Sequence, residues 1–263
     1  MYPVLFKIGN FSMSTYGLMN MLGYIAGIYY LIYNRKKIGI STDTLWNILF
    51  ISIICAIVGG KLMYVFLSWD ALGYTFADKM SNIFLNFRYG FVFFGGAIAG
   101  ILGLLVYIKY KKMPLLKTGD FLAVGLPLGH AIGRIGCFLV GCCYGRHFEG
   151  PWAVHFTNPD SLVPTHLHGV GLHPTQLYEV FANLLIFGIL HFAYRRRHKH
   201  GFIMALYMIC YSVLRFIMEF FRGDFRGGFL LGMSPSQVIS IGMILAAVIF
   251  YMIVSRKSEY NVK

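Results

Sequence analysis

The run PSQVISIGMILAAVIFYMIV, residues 235–254, holds no charged side chain and is long enough to cross a bilayer as one helix. About 30 Å of hydrocarbon takes roughly 20 residues at about 1.5 Å of rise each. In front of it, Ser234-Pro235-Ser236-Gln237 offers an N-cap serine, a first-turn proline and a glutamine able to close a capping box. Two further uncharged runs occupy 14–33 and 89–108. Four more, at 44–69, 121–145, 174–194 and 202–221, each carry at least one ionisable group. His173-Pro174-Thr175-Gln176 repeats the capping scheme, with Pro174 opening its helix. The pattern predicts an all-α integral membrane protein of about seven transmembrane helices.

Composition points the same way. Hydrophobic residues make up 57% of the chain and charged ones 13%, whereas a soluble domain carries about 25% charged residues. Ten acidic and 23 basic side chains cannot clothe a soluble surface of this size, so lipid is the expected solvent. A net charge of +13 would suggest nucleic acid in a soluble protein. Here the charges mark loops that meet anionic headgroups, and no nucleic-acid partner is expected. Residues 1–12 are short and mixed and do not read as a cleavable signal.

Orientation follows from Lys and Arg. With the N-terminus outside, the inner loops and tail hold 14 of the 23, among them Arg35-Lys36-Lys37, Arg195-Arg196-Arg197, Arg256, Lys257 and Lys263. Six fall outside: Lys7, Lys79, Arg88, Arg146, Arg222 and Arg226. Lys61, Arg134 and Arg215 lie within spans. The bias predicts an N-out, C-in topology. No domain boundary is visible, so 1–263 reads as a single polytopic membrane domain. The longer outer segments are 70–88 and 146–173. The second alternates at Ala153-Val154-His155-Phe156 and predicts a small strand-bearing periplasmic cap between helices four and five.

The buried polar residues gather at one depth. Tyr16 begins the first helix at its outer face, and Lys61 lies past the middle of the second. Arg134 sits midway along the fourth, Glu179 in the outer part of the fifth, and Arg215 and Glu219 late in the sixth. Charges are costly in lipid, so these should face one another or a wet cavity. Arg215, Glu219 and Arg222 share one helical face by spacing, although Arg215 and Glu219 read equally well as a simple surface pair. Arg134 has no acid at helical spacing. It stands in Gly133-Arg134-Ile135-Gly136, where small residues allow close approach, and an anionic ligand such as phosphate suits its fork.

Other groups have plainer readings. Lys61 is expected to snorkel outward. Gly59-Gly60, Gly95-Gly96 and Gly100 look like close-packing seams. His130, His155, His166 and His168 are expected to be structural or solvated, while His173 stands at a helix start with a pKa near neutrality. Five cysteines show no zinc-like spacing, so no metal and no cofactor are expected. Cys137, Cys142 and Cys143 read as small packing residues, and a disulfide between the adjacent pair would be strained.

Taken together, Gly133-Arg134-Ile135-Gly136-Cys137-Phe138, running on to Tyr144-Gly145-Arg146, resembles the signature of the prolipoprotein diacylglyceryl transferases. Tyr16-Gly17-Leu18-Met19, Val58-Gly59-Gly60-Lys61, Phe94-Gly95-Gly96, His173 through Glu179 and Arg215 through Arg222 match it in order along the chain. The resemblance implies a multi-pass enzyme of the bacterial inner membrane. Such an enzyme moves the diacylglyceryl group of phosphatidylglycerol onto the lipobox cysteine of a preprolipoprotein and releases glycerol phosphate. Its expected partners are phosphatidylglycerol, the lipobox peptide and membrane lipids.

By the same resemblance Arg134, Arg215 and Tyr16 are expected to be catalytic, and with Phe94 unable to accept a proton, His173 is expected from its position alone to supply the base, His130 being the other candidate. Glu219, Arg222, Gly133, Gly136, Cys137, Gly145, Gly95 and Gly96 are expected to bind substrate. The chain departs from the commonest family form at three positions: Cys137 replaces an asparagine, Cys142 a glutamate, and Phe94 the histidine usually given the base role. Those departures keep two alternatives open: a related lipid transferase with another donor or acceptor, and a non-enzymatic lipid binder.

Overall fold

The computed structural model describes residues 2–9, 11–85, 90–224 and 232–256, excepting the side chains of Ile8 and Phe11. Arg88, Arg226, Lys257 and Lys263, four of the charges used for orientation, lie outside the described residues. Among the described residues, eight α-helices carry the fold: α1 (Thr15–Asn34), α2 (Thr42–Leu67), α3 (Phe76–Leu85), α4 (Phe93–Tyr110), α5 (Leu115–Val140), α6 (Thr175–Arg195), α7 (Phe202–Met218) and α8 (Pro235–Ser255). Among the described residues, α2, α4, α5, α6 and α8 are long and apolar enough to cross a membrane. α1 has 20 residues and α7 has 17.

Two compact units emerge, residues 35–115 and residues 1–34 with 116–263. In the first, α2 and α4 pack through the expected glycine seam. A Cβ on Gly95 would lie 2.5 Å from the Gly59 carbonyl oxygen, and one on Gly96 would lie 2.9 Å from that of Ala56. Without side chains to separate them, the two backbones touch. Lys61 corrects an expectation. It is 7% exposed rather than snorkelled, with its ammonium 5.4 Å from the ring centre of Tyr64 and 5.5 Å from that of Phe91. Those ring faces offer the cation an alternative to water.

The second unit opens with an antiparallel hairpin, β1 (Val4–Ile8) and β2 (Phe11–Ser14), in the stretch that sequence left unassigned. It leads into α1, where the buried Thr15 hydroxyl donates to the Tyr2 carbonyl. α1 crosses α5 on a stripe of small residues. A Cβ on Gly23 would lie 2.5 Å from the Gly129 oxygen, and one on Gly27 would lie 3.2 Å from that of Gly125. α5 is the buried helix of this unit, with Phe121, Val124, Ala131 and Cys137 in the core. It starts six residues before its predicted beginning and ends at Val140 rather than at 145, so Arg134 falls in its last two turns, not midway. The earlier start brings in Asp120, whose carboxylate accepts from the backbone N–H groups of Gly201 at 2.7 Å and Met204 at 3.0 Å. A carboxylate there satisfies donors that the first turn of α7 leaves without helical partners.

Of the two capping boxes read from sequence, one forms. Gln237 N–H donates to Ser234 Oγ at 3.3 Å, and Ser234 N–H donates to Gln237 Oε1 at 3.0 Å. At α6 the N-cap is Pro174, which has no side-chain acceptor to offer. Thr175 and Gln176 turn away to hold another loop, described below. The strand expectation in 146–173 holds: β3 (Val154–His155) pairs antiparallel with β4 (Gly171–Leu172). Phe156, Val163 and Leu172 form its small core.

Candidate functional site

Four chain segments of the second unit bring charge together. The end of α5 supplies Arg134, the first turns of α6 supply Glu179, and the end of α7 supplies Arg215 and Glu219. The loop after α7 supplies Arg222 and Asp224. Glu179, 1% exposed, is the hub. Its Oε2 lies 2.6 Å from Arg134 Nε, and its Oε1 lies 3.2 Å from Arg222 Nη1. Arg222 turns its other edge to Asp224 in a two-bond fork, Nε to Oδ1 and Nη2 to Oδ2, both 2.8 Å. Arg215 Nη2 lies 2.9 Å from Glu219 Oε2 and donates to Ser236 Oγ at 2.9 Å. Three guanidiniums thus meet three carboxylates, which is how buried charge is tolerated.

The sequence grouping of Arg215, Glu219 and Arg222 needs correction. The first two pair as spacing predicts, but α7 ends at Met218 and Arg222 leaves their face for Glu179 and Asp224. Burial opposes the charge on Arg222, and the fork to Asp224 outweighs it and holds that charge on. Arg134 does have an acid, supplied by another helix. Arg134 Nη1 also reaches Cys137 Sγ at 3.8 Å, and Tyr211 lies within electrostatic range of its guanidinium. The His130 ring lies 5.3 Å from that of Tyr211, tilted by 45°, and within electrostatic range of Arg134 and Arg215.

The other expected site residues divide. Tyr16, 44% exposed at the start of α1, is within electrostatic range of Cys137, Cys142 and Arg134. What approaches Gly133 and Gly136 is α1 itself: a Cβ on Gly133 would lie 3.0 Å from Asn20 Oδ1, and one on Gly136 would lie 2.8 Å from Met19 Cβ. Gly145 is a crossing point, where a Cβ would lie 2.9 Å from the Phe221 carbonyl oxygen. Gly95 and Gly96 belong to the α2–α4 seam. His173 sits in an aromatic cluster. Its ring stacks on Phe148 at 4.0 Å, and its Nδ1 lies 3.1 Å from Tyr178 OH, which also accepts from Trp152 Nε1 at 2.7 Å. Partial burial lowers its pKa.

Sequence reasoning placed Glu179 in the polar layer but missed its pairing with Arg134 and Arg222, and it missed Asp224 and the meeting of three cysteines. The signal for Glu179 was present: an acid inside an apolar span needs a partner. Cys137, Cys142 and Cys143 bring their sulfurs within 4.8 Å of one another. Gln176 Nε2 donates to the Cys142 carbonyl at 2.9 Å and Thr175 Oγ1 to that of Cys143 at 2.8 Å, so α6 holds the loop that carries them.

The prolipoprotein diacylglyceryl transferase family matches residues 3–253. The chain belongs to the prolipoprotein diacylglyceryl transferase family. A phosphatidylglycerol–prolipoprotein diacylglyceryl transferase of Clostridium tetani is 37% identical over 252 residues, 95% of this chain and 97% of that protein. A second such transferase from Clostridium perfringens is 36% identical over 94% of this chain and 93% of its own length. One from Dehalococcoides mccartyi is 33% identical over 98% of this chain and 95% of its own length. Family membership across nearly the whole chain makes this a multi-pass membrane transferase, and the lipid-binder alternative is not favoured.

Proposed function

We infer that the chain transfers the diacylglyceryl group of phosphatidylglycerol to the lipobox cysteine thiol of preprolipoproteins, the first step of bacterial lipoprotein maturation. The observation that carries this is the buried Arg134–Glu179–Arg222 chain. Glu179 fixes the Nε edge of Arg134, and the other edge is turned toward Cys137. A phosphate diester entering beside that edge meets a guanidinium whose orientation is already set. As the glycerol phosphate departs, its growing charge is stabilised by Arg134 and Arg215, with Glu219 and Ser236 orienting the latter. Arg222 acts through Glu179 as a positioning residue. Tyr16 flanks the headgroup. His173, kept neutral by burial, is one candidate for taking the thiol proton.

The same reading gives seven spans, α1 and α7 joining the five longer helices, as one polytopic domain in the bacterial inner membrane. The Lys and Arg bias supports the N-terminus outside, with residues 146–173 as the cap on that side. Lipid then enters between helices and the acceptor peptide arrives from the cap side.

Donor and product test the reading together. Purified protein in nanodiscs, given phosphatidylglycerol and a lipobox peptide, should yield a diacylglyceryl thioether on the peptide cysteine and one glycerol phosphate per thioether. Thioether from phosphatidylethanolamine at the same rate, or none from phosphatidylglycerol, contradicts it.

A further inference from the structure

The sulfur cluster has a construction of its own. α5 stops at Val140, and Gly141 and Cys143 then take left-handed φ values of 80° and 63°. Such a conformation is costly for a residue with a side chain and persists only where its surroundings impose it. Here Thr175 and Gln176, both 0% exposed, impose it through the Cys143 and Cys142 carbonyls. The result turns two loop sulfurs toward Cys137, one helical turn back on α5. None of the three is in a disulfide. Two cations border the trio: Arg134, whose Nη1 lies 3.8 Å from Cys137 Sγ, and Arg222, within electrostatic range of Cys143.

We propose that Cys137, Cys142 and Cys143 hold a Zn2+ ion in a three-thiolate site whose fourth position takes the acceptor's cysteine sulfur. The proposal rests on the transferase reading and gives that reaction its means of activating the thiol. Zinc–sulfur bonds of about 2.3 Å in a tetrahedron place ligand sulfurs roughly 3.8 Å apart, so three sulfurs within 4.8 Å close on the ion with small movements. Three protein ligands and one open position is the arrangement of catalytic rather than structural zinc. Soft thiolates select zinc against magnesium or calcium. A dication with three thiolates carries one net negative charge, which Arg134 and Arg222 flank.

The step balances without an oxidant. The acceptor thiol coordinates and its proton passes to water, because a metal-bound thiol is deprotonated at neutral pH. The thiolate lone pair attacks the carbon of the diacylglycerol moiety that carries the phosphate. The S–C bond forms, the C–O bond breaks, and the electron pair leaves on the glycerol phosphate beside Arg134. The neutral thioether is a poorer ligand and gives way to the next thiol.

Loading the full-length protein with Co2+ in place of zinc makes the site visible through sulfur-to-cobalt charge-transfer absorption. The expected result is one metal per chain and a further rise in that absorption when a lipobox peptide is added, but not with its Cys→Ser counterpart. Stoichiometric binding should be lost in Cys142→Ser and in Cys137→Ser, each checked for an unchanged thermal melt. Substoichiometric metal in the native protein, binding unchanged in both variants, or identical spectra with the two peptides overturns the proposal. Transfer separates the two ideas. Full activity after chelation and verified metal removal overturns the zinc site and leaves the transferase standing. A peptide-dependent cobalt spectrum without any transfer from phosphatidylglycerol keeps the thiol site and rejects the lipid donor.

Discussion

Arg134 of α5 and Glu179 of α6 meet at 2.6 Å with the carboxylate side chain 2% exposed. A contact this buried fixes the guanidinium in place, and losing either partner leaves the other uncompensated. Glu179→Gln removes the charge and keeps the shape. It strands Arg134 and half of Arg222, and breaking a buried pair in this way costs about 3–5 kcal/mol. The expected outcome is a clear fall in thermal stability together with loss of transfer, read by melting curves and product formation on the same preparation.

Arg222→Lys tests positioning against catalysis. Lysine keeps a charge but loses the two-bond fork to Asp224 and the second contact to Glu179. Charged hydrogen bonds contribute about 1.5–3 kcal/mol each, so the melt should fall. Transfer should fall less than in Arg134→Ala, and chiefly in the maximal rate, since Arg222 acts through Glu179 and not on the lipid.

Asp120→Asn probes a contact far along α5 from the ion pairs. The carboxylate caps the first turn of α7, and loss of a cap of this kind costs about 0.5–2 kcal/mol. The variant should melt earlier than native while transferring at an undiminished rate below its transition. A large loss of activity without destabilisation would give Asp120 a role that its contacts do not suggest.

The cap should respond to acid. Burial lowers the His173 pKa below its ordinary value, so between the folded pKa and about 6.5 the unfolded chain binds more protons than the folded one. Stability is therefore full above about pH 6.5 and falls as pH drops through that window. Melting curves from pH 7.5 to 5 should decline more steeply for native protein than for His173→Gln; parallel declines would contradict this.

How far the sequence reached depended on the range of the interaction. Apolar length placed α1, α2, α4, α6, α7 and α8 within four residues at each end and α5 within six, five of the seven being long and apolar enough to cross a membrane. The glycine seam at Gly59-Gly60 and Gly95-Gly96 was legible because small residues mark close backbones. Within α7, spacing alone gave the Arg215–Glu219 pair. It failed for Arg222, because periodicity extends a helix past the residue where the backbone stops it. The partner of Arg134 was hidden for another reason. Glu179 lies on a separate helix, and spacing along one helix is silent about its neighbours. Cys137, Cys142 and Cys143 show no metal-ligand spacing, yet a helix end and two left-handed residues, Gly141 and Cys143, bring them together.

The most direct test of the central claim is the rate of thioether formation from phosphatidylglycerol and a lipobox peptide, followed by mass spectrometry for native protein and Arg134→Ala. Removing a group that stabilises transition-state charge costs about 10²–10³ in rate. The account predicts rapid product from the native protein and a loss of that size in the variant, measured below the variant's own lowered melting transition. Native-like transfer by Arg134→Ala would contradict it.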